Sequence, residues 1–398
     1  MPLVLLDPAL PDGIIDELLG QTGASIVVGE REYAGRRVLS SSEILAVNAS
    51  GAIPPSCYAP ESIAIMVATS GSLGQPKAVM LSARNLHAAA TASAACTPLG
   101  VGDRWLACLP LFHIGGYSIL FRCALAGAEA VLHQGFDADR VRHALAVGSI
   151  THLSLTPSML AQLLEISAAA PPGLRHLLVG GAPLSGELAA RAVRRGWPIQ
   201  PTYGMSETAS QVATLSKLAL PWRPGRMGEP LPGVELALNP DGRLKIRGPM
   251  VMAGYANPAL TPGDGLEDGW FVSGDLAEIT AEGELVVLGR ADEIIVSGGK
   301  KIHPLLVENE LARCPGVNAV AVAGRPDAVW GEVVTAIFSG DRTAESLLAW
   351  CYAHVAGALR PRLAVRVAAL PSLANGKADR LALRKLAMQG QAETGRIA

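Results

Sequence analysis

The sequence has only six cysteines in 398 residues, Cys57, Cys96, Cys108, Cys123, Cys314 and Cys351, and no Cys-x-x-Cys pair among them. Scattered thiols of this kind suit neither a disulfide framework nor a zinc site, and point to reduced cysteines in a cytosolic protein. Apart from His113, the histidines show no metal-ligand spacing. An excess of one charge is also missing: 33 basic side chains face 35 acidic ones, which offers nucleic acid no electrostatic footprint. No run supplies the roughly 20 apolar residues of a spanning helix, and the most membrane-like stretch, Tyr117 to Leu132, is broken by Arg122 and Glu129. Met1-Pro2-Leu3-Val4-Leu5-Leu6-Asp7 lacks the basic start and small-residue cleavage site of a signal peptide. No internal repeat and no long low-complexity linker occur. The expectation is a cytoplasmic protein with no nucleic-acid partner and no membrane insertion, long enough for two or three domains.

What is present is alternation. From Ile63 to about Pro201, short apolar β-like runs (Arg104 to Leu109, Ala128 to His133, Thr151 to Leu155, Leu174 to Val179) alternate with helical patterns such as Asp137 to Val147 and Ser158 to Ala168. That alternation predicts α/β architecture, a parallel sheet with helices on its faces, whose ligands gather at the carboxyl ends of strands. After about Gly225, alternating runs flank Asn239-Pro240-Asp241-Gly242, a hairpin signal because Asp-Gly suits turns that need positive φ. A compact α/β module starts near Arg290. The predicted organisation is a large N-terminal domain, 1–290, with a β subdomain at about 225–290, then a smaller α/β domain, 291–386, and a frayed tail, 387–398.

The most informative segment is Thr69-Ser70-Gly71-Ser72-Leu73-Gly74-Gln75-Pro76-Lys77. The apolar stretch Ser62 to Ala68 before it reads as a buried strand, and Leu81 to Ala95 after it is helix-prone. Glycines let the main chain approach an anion, amides and hydroxyls donate to its oxygens, and the ammonium offsets its charge, so the segment suits phosphate. It is not a Walker loop, since Gly-Lys-Ser/Thr is absent, and taken alone it could be an ordinary turn.

Four more segments follow in order: Tyr203-Gly204-Met205-Ser206-Glu207-Thr208, Trp270-Phe271-Val272-Ser273-Gly274-Asp275, Gly289-Arg290-Ala291-Asp292 and Asn375-Gly376-Lys377. Together the five resemble those of the AMP-forming acyl-CoA synthetases of the adenylate-forming superfamily, over about Ile63 to Arg384. Within it, Leu109-Pro110-Leu111-Phe112-His113-Ile114-Gly115-Gly116, Val131-Leu132-His133-Gln134 and Ser210-Gln211-Val212-Ala213-Thr214-Leu215-Ser216 are most similar to the o-succinylbenzoate–CoA ligases of menaquinone synthesis.

The resemblance implies an enzyme that joins a small carboxylic acid to coenzyme A through an acyl-adenylate, using ATP and Mg²⁺. It implies catalytic roles for Lys377, Ser206, Glu207 and His113, with Glu207 the metal ligand. Thr69, Ser70, Gly71, Ser72, Gly74 and Lys77 would hold the phosphates; Gly180, Gly181, Ala182, Tyr203 and Gly204 the adenine; Asp275 and Arg290 the ribose. Asp292 would be the hinge of a mobile C-terminal domain, and Gly298, Gly299 and Lys300 would line the coenzyme A channel, with Lys301 beside them. His113, Ser210, Gln211 and Thr214 would face the acid, their polarity suiting a second carboxylate. Each position also has a plainer reading. Tyr203 to Glu207 could be a strand-end turn with a capping serine, Gly180-Gly181 a turn before a helix capped by Ser185, and Asp275–Arg290 a structural ion pair. His113 could be a histidine satisfied at a helix start, and Lys377 a solvated lysine.

Three positions depart from the family pattern: Leu73 replaces a hydroxyl, Ala78 a glycine, and Leu306 a glutamate, while Glu308 is kept. Only about 65 residues precede the phosphate loop, so the N-terminal part of the large domain is expected to be trimmed, and dimerisation stays open. Other readings remain: a different aryl or acyl acid–CoA ligase, an adenylating enzyme that loads a carrier protein, or a nucleotide-binding homologue without activity.

Overall fold

The structure is a computed structural model that describes residues 2–33, 35–40, 42–43, 59–69, 76–257, 259–372 and 378–389. The chain begins with β1 (Leu3–Leu5), α1 (Asp12–Thr22) and a parallel pair of short strands, β2 (Ile26–Val28) and β3 (Arg37–Leu39). β4 (Ile63–Thr69) and β5 (Lys77–Ser82) then form an antiparallel hairpin, Thr69 opposite Lys77, whose connection is the phosphate-loop segment. Lys77 is therefore the first residue of a strand, and the helix expected from Leu81 begins two residues later, as α2 (Ala83–Ala94). Ser82 starts it: its hydroxyl accepts from the Asn85 amide, and the Asn85 side chain accepts from the Ser82 amide. The short N-terminal segment closes this sheet, because β1 pairs in parallel with β4, and Leu18 of α1 lies in one apolar cluster with Met66, Ala78 and Met80.

The alternation then unfolds as expected: β6 (Arg104–Ala107), α3 (Ile114–Ala126), β7 (Glu129–Leu132), α4 (Ala138–Val147), β8 (His152–Leu155), α5 (Pro157–Ile166), β9 (His176–Val179), α6 (Gly186–Arg194) and β10 (Ile199–Met205). With β11 (Ser210–Thr214) these strands make a six-stranded sheet in the order β11-β10-β9-β8-β6-β7, parallel throughout except for β10–β11. Asp137, Thr156 and Ser185 cap α4, α5 and α6 by accepting first-turn amides.

β12 (Arg226–Gly228), β13 (Glu235–Leu238), β14 (Arg243–Arg247), β15 (Gly254–Tyr255), β16 (Leu266–Glu267), β17 (Trp270–Ile279) and β18 (Leu285–Arg290) follow. All but one join an antiparallel sheet that includes the expected β13–β14 hairpin; β15 instead pairs with β5. The last sheet holds β19 (Ile295–Ser297), β20 (Lys300–Ile302), β21 (Val317–Asp327), β22 (Gly331–Gly340) and β23 (Leu363–Arg366). Around it stand α7 (Pro304–Leu311), α8 (Ala344–His354) and α9 (Arg380–Gln389). The fold is thus α/β with a large N-terminal part and a smaller C-terminal one. α9 runs past the expected start of the frayed tail at 387, since Ala387 is fully buried against the sheet with Leu383 and Ile337. Among the described residues, no helix is long and apolar enough to cross a membrane.

α9 is held by Arg380, which reaches Glu293 at 3.3 Å and Glu308 at 2.7 Å, while Glu308 also accepts the Val322 amide at 2.9 Å. Removing the cation would leave two largely buried carboxylates uncompensated. Arg380→Ala should therefore lower unfolding stability in urea by about 3 kcal/mol; a loss under about 0.5 kcal/mol, the level of an exposed pair, would show that this network does not anchor α9.

Candidate active site

Parallel strands deliver their carboxyl ends to one edge of the sheet, and the candidate residues sit there. The chain leaves β6 through Pro110 and turns into α3, with His113 as its cap residue and the His113 ring 4.7 Å from Phe112. Gly116 makes the turn possible, because a Cβ there would lie 2.2 Å from the Pro110 carbonyl oxygen. β9 is followed by Gly180, Gly181 and Ala182, and a Cβ on Gly180 would stand 2.7 Å from Thr202 Cγ2. β10 ends in Tyr203, Gly204 and Met205, followed by the single 3₁₀ turn Ser206–Thr208 that presents Ser206 and Glu207, both half-buried.

The backbone at this point is strained. Ala209 and Ser210 have φ of 51° and 111°, which residues with a Cβ rarely adopt, and the β10–β11 register shifts between Tyr203 and Gly204. A Cβ on Gly204 would lie 1.6 Å from the Ser210 carbonyl oxygen. Strain of this kind persists only where the surroundings hold it, and it clusters at functional sites.

Asp275 and Arg290 stand opposite each other on β17 and β18. The Tyr203 hydroxyl donates to Asp275 Oδ2 at 2.6 Å, whereas Arg290 Nη1 is 3.8 Å from Asp275 Oδ1. Burial and then the Asp275 charge push the Tyr203 phenol well above its ordinary pKa, so it stays a donor. Arg290 instead grips Asp292, with Nε and Nη2 donating to the two carboxylate oxygens at 3.1 and 3.2 Å. Gly274 leaves room for that guanidinium, since a Cβ there would come within 2.6 Å of it. Burial opposes the Asp292 charge, but Arg290 outweighs it and holds the carboxyl below its usual pKa.

Glu207 Oε1 accepts the Tyr255 hydroxyl at 3.0 Å, and Lys77 Nζ lies 4.4 Å above the Tyr255 ring. Glu207 fits a divalent ion as a hard oxygen donor on an open edge. No group of three metal-binding side chains occurs among the described residues, so phosphate and water would complete such an ion's shell. Thr69 ends β4, its hydroxyl 3.4 Å from the Lys77 carbonyl oxygen. Ser70, Gly71, Ser72, Leu73 and Gly74 of the phosphate loop, and Lys377, lie outside the described residues.

Two groups of residues take places that their sequence alone does not suggest. Gln211 and Thr214, expected to face the acid, are each 3 % exposed. The Gln211 Oε1 accepts from Ser93 at 2.6 Å, and its Nε2 donates to Thr214 at 2.7 Å and Thr202 at 3.2 Å. Their hydrogen-bonding capacity is therefore used inside the protein, between β10, β11 and α2, and only half-buried Ser210 keeps an outward part. Gly298 and Gly299 form the exposed two-residue turn between β19 and β20, both at positive φ, with Lys300 exposed beside them and the Trp330 ring 2.8 Å from where a Gly298 Cβ would be.

Arg122 and Tyr255 are absent from the sequence-based list. Arg122 lies on α3, which covers the sheet just described; it is 6 % exposed, and its Nε and Nη2 have no hydrogen-bond partner among the described residues. The guanidinium lies 5.7 Å from the Trp105 ring, and burial pulls its pKa down to about 10. The signal was present as a lone charge inside an apolar helix. Tyr255 has no comparable signal, because its contacts come from β5 and from the turn after β10.

The chain matches the AMP-binding enzyme family over residues 1–256 and the AMP-binding enzyme C-terminal domain over 306–377. It belongs to the AMP-binding enzyme family. A 2-succinylbenzoate–CoA ligase of Bacillus cereus is 36 % identical over 334 residues, 81 % of this chain and 69 % of the relative. The o-succinylbenzoate coenzyme A synthetase of Bacillus subtilis, solved with ATP and magnesium ion, superposes with a TM-score of 0.85 at 30 % identity, covering 96 % of this chain and 84 % of that one. The same enzyme with its acyl-adenylate intermediate superposes equally well over 99 % of this chain.

Within this family site, Gly204→Ala should be severe. The added methyl meets backbone rather than a movable side chain, so a stability loss of at least about 2 kcal/mol is expected, together with loss of ATP-dependent activity. A Gly204→Ala protein with parental melting temperature and turnover would show that the Gly204–Ser210 approach is not required.

Proposed function

We propose that the chain converts a carboxylic acid, ATP and coenzyme A into an acyl-CoA, AMP and pyrophosphate, and that the acid is o-succinylbenzoate. A carboxylate oxygen attacks the α-phosphate of ATP, and pyrophosphate departs with the β–γ part. The thiol of coenzyme A then attacks the acyl carbon, and AMP leaves. The first step brings an anion against a polyanion, so oriented positive charge and donors govern its rate. Lys377 bridges the carboxylate and the α-phosphate, Ser206 donates to the α-phosphate, and Lys77 with the loop after Thr69 takes the outer phosphates. Asp275 accepts the ribose hydroxyls; a carboxylate has about four acceptor sites, so its bond to Tyr203 leaves capacity. Bound to Glu207, Mg²⁺ would screen the phosphates during the first step. Asp292 is the hinge about which residues 291–386 turn between the steps, bringing Gly298, Gly299 and Lys300 to the pantetheine arm.

The observation that carries the choice of acid is Arg122. A buried guanidinium with no acceptor is costly, and an anionic substrate group would supply what it lacks. When the succinyl carboxylate of o-succinylbenzoate is adenylated, the ring carboxylate remains to pair with it. The names of the relatives point to the same acid.

Acids assayed for pyrophosphate release, with and without coenzyme A, test this function. Arg122→Met should lower kcat/KM for o-succinylbenzoate on the order of 10²-fold, since truncating one member of a buried charge pair costs about 2–5 kcal/mol. It should not harm 4-oxo-4-phenylbutanoate, which lacks the ring carboxylate, and the free protein should melt no lower than the parent because an unpaired charge is gone. Equal losses on both acids would refute the pairing.

Lys377→Ala should cut acid-dependent pyrophosphate release by about 10²–10³ while sparing thioester formation from preformed acyl-adenylate. Equal damage to both half-reactions would show that Lys377 does not act on adenylation alone.

A further inference from the structure

Tyr255 joins two charged residues that lie 130 positions apart in sequence, Lys77 and Glu207. Lys77 leaves the phosphate loop as the first residue of β5, with its ammonium over the ring of Tyr255, while the hydroxyl of that ring donates to Glu207. Lys77 and Glu207 form no ion pair with each other among the described residues. The aromatic ring stands between them.

Its seat is built from several elements. Tyr255 pairs with Val79 of β5, and its amide donates to the Asp264 carbonyl at 2.9 Å. Gly265, at φ 82°, is the reason the ring fits, since a Cβ there would lie 2.5 Å from two of its carbons. The Met252 amide donates to the Glu207 carbonyl at 2.8 Å, which ties the 3₁₀ turn to the segment leading into β15.

A lysine and a glutamate flanking one side chain would ordinarily bond directly, in a charge-assisted hydrogen bond. Such a pair would neutralise the ammonium needed by the phosphates and the carboxylate needed by the metal, and would have to break whenever ATP binds. The ring face offers the ammonium a weaker attraction, and the hydroxyl orients the carboxylate without cancelling its charge. Glu207 Oε2 meanwhile has no donor among the described residues.

We propose that Tyr255 is a positioning residue that keeps Lys77 and Glu207 from pairing and aims one at the triphosphate and the other at the metal. This rests on the acid–CoA ligase reading and on Glu207 as the metal ligand. Incoming ATP then displaces a cation–π contact rather than an ion pair.

The test is Mg²⁺ titration of acid-dependent pyrophosphate release at saturating ATP, for Tyr255→Phe, Glu207→Gln and the double variant. Tyr255→Phe keeps the ring for Lys77 and loses only the bond to Glu207. Its half-saturating Mg²⁺ concentration should rise about 10-fold, as expected for a lost hydrogen bond to a charged group. The same substitution in the Glu207→Gln background should add less than about twofold, because the group it acts through is already altered. Tyr255→Leu should raise the KM for ATP as well, since it removes the barrier to the ion pair. Thioester formation from preformed acyl-adenylate reports that each variant is folded. If Glu207→Gln shifts the Mg²⁺ curve and Tyr255→Phe does not, the positioning role is wrong and the metal assignment stands. If neither shifts it, both are wrong. Loss of melting temperature with equal loss in both half-reactions would reduce Tyr255 to a structural residue.

Discussion

Parallel strand pairing is the constraint on which the site depends. Because β6, β9 and β10 run the same way, the chain must leave all three at one edge, and His113, Gly180 and Tyr203 arrive there without any contact between them having to be arranged. Close backbone approach does the rest. Gly116, Gly180 and Gly204 each lie where a Cβ would strike a neighbouring atom at 2.7 Å or less, so the turns that leave the sheet are tighter than other residues permit. The β4–β5 hairpin brings Lys77 from a second sheet, and β15 fastens that sheet to the 3₁₀ turn through Tyr255.

Two of the carboxylates here, Asp275 and Glu207, have a phenol as their closest donor rather than a cation. Asp275 is bonded by a phenol at 2.6 Å while its opposite cation stands at 3.8 Å, and Glu207 is likewise bonded by a phenol. A tyrosine hydroxyl fixes the direction of a carboxylate yet leaves its negative charge intact, and burial keeps both phenols protonated. Arg290 takes Asp292 as its closer partner, which couples the end of β18 to the 3₁₀ turn that follows it. Arg384 reaches the same point from α9, donating to the Asp292 carbonyl oxygen at 2.7 Å. Asp292 is thus held from both sides by arginines, Arg290 of β18 on its side chain and Arg384 of α9 on its main chain.

Much of this was legible in the sequence, and the failures have physical causes. Strands β6 to β9 and helices α4 and α5 follow from apolar periodicity, and the caps Asp137 and Ser185 lie next to the helices they start. The helix after the phosphate loop was placed too early because Leu81 and Ser82 are helix-compatible, whereas pairing with Ile65 and Ile63 across the hairpin commits them to a strand. Tertiary context overrode local propensity there. Composition predicts a tail that frays from 387, but Ala387 is small and apolar enough to be buried at the end of α9. Motif spacing located Asp275 and Arg290 but not their bonds, since it carries no information about which of two acids a guanidinium will choose.

Polarity on a strand was the least dependable guide. Ser210-Gln211-Val212-Ala213-Thr214 looks like donors offered to a substrate, yet β11 is buried from Gln211 to Thr214, and Ser93 and Thr202 complete the bonds of Gln211 and Thr214 inside the chain. A buried amide must find partners, and neighbouring hydroxyls on α2 and β10 were available to it. The opposite holds for Arg122: in the sequence it only interrupts an apolar helix, and in the fold its Nε and Nη2 are buried with no partner among the described residues. The two cases separate what a polar residue is for. A satisfied network such as that of Gln211 fixes the packing of α2 against β10 and β11 and has little left for a ligand. An unsatisfied buried charge loses its hydration and gains no bond in return, so it costs the free protein stability that the Gln211 network does not.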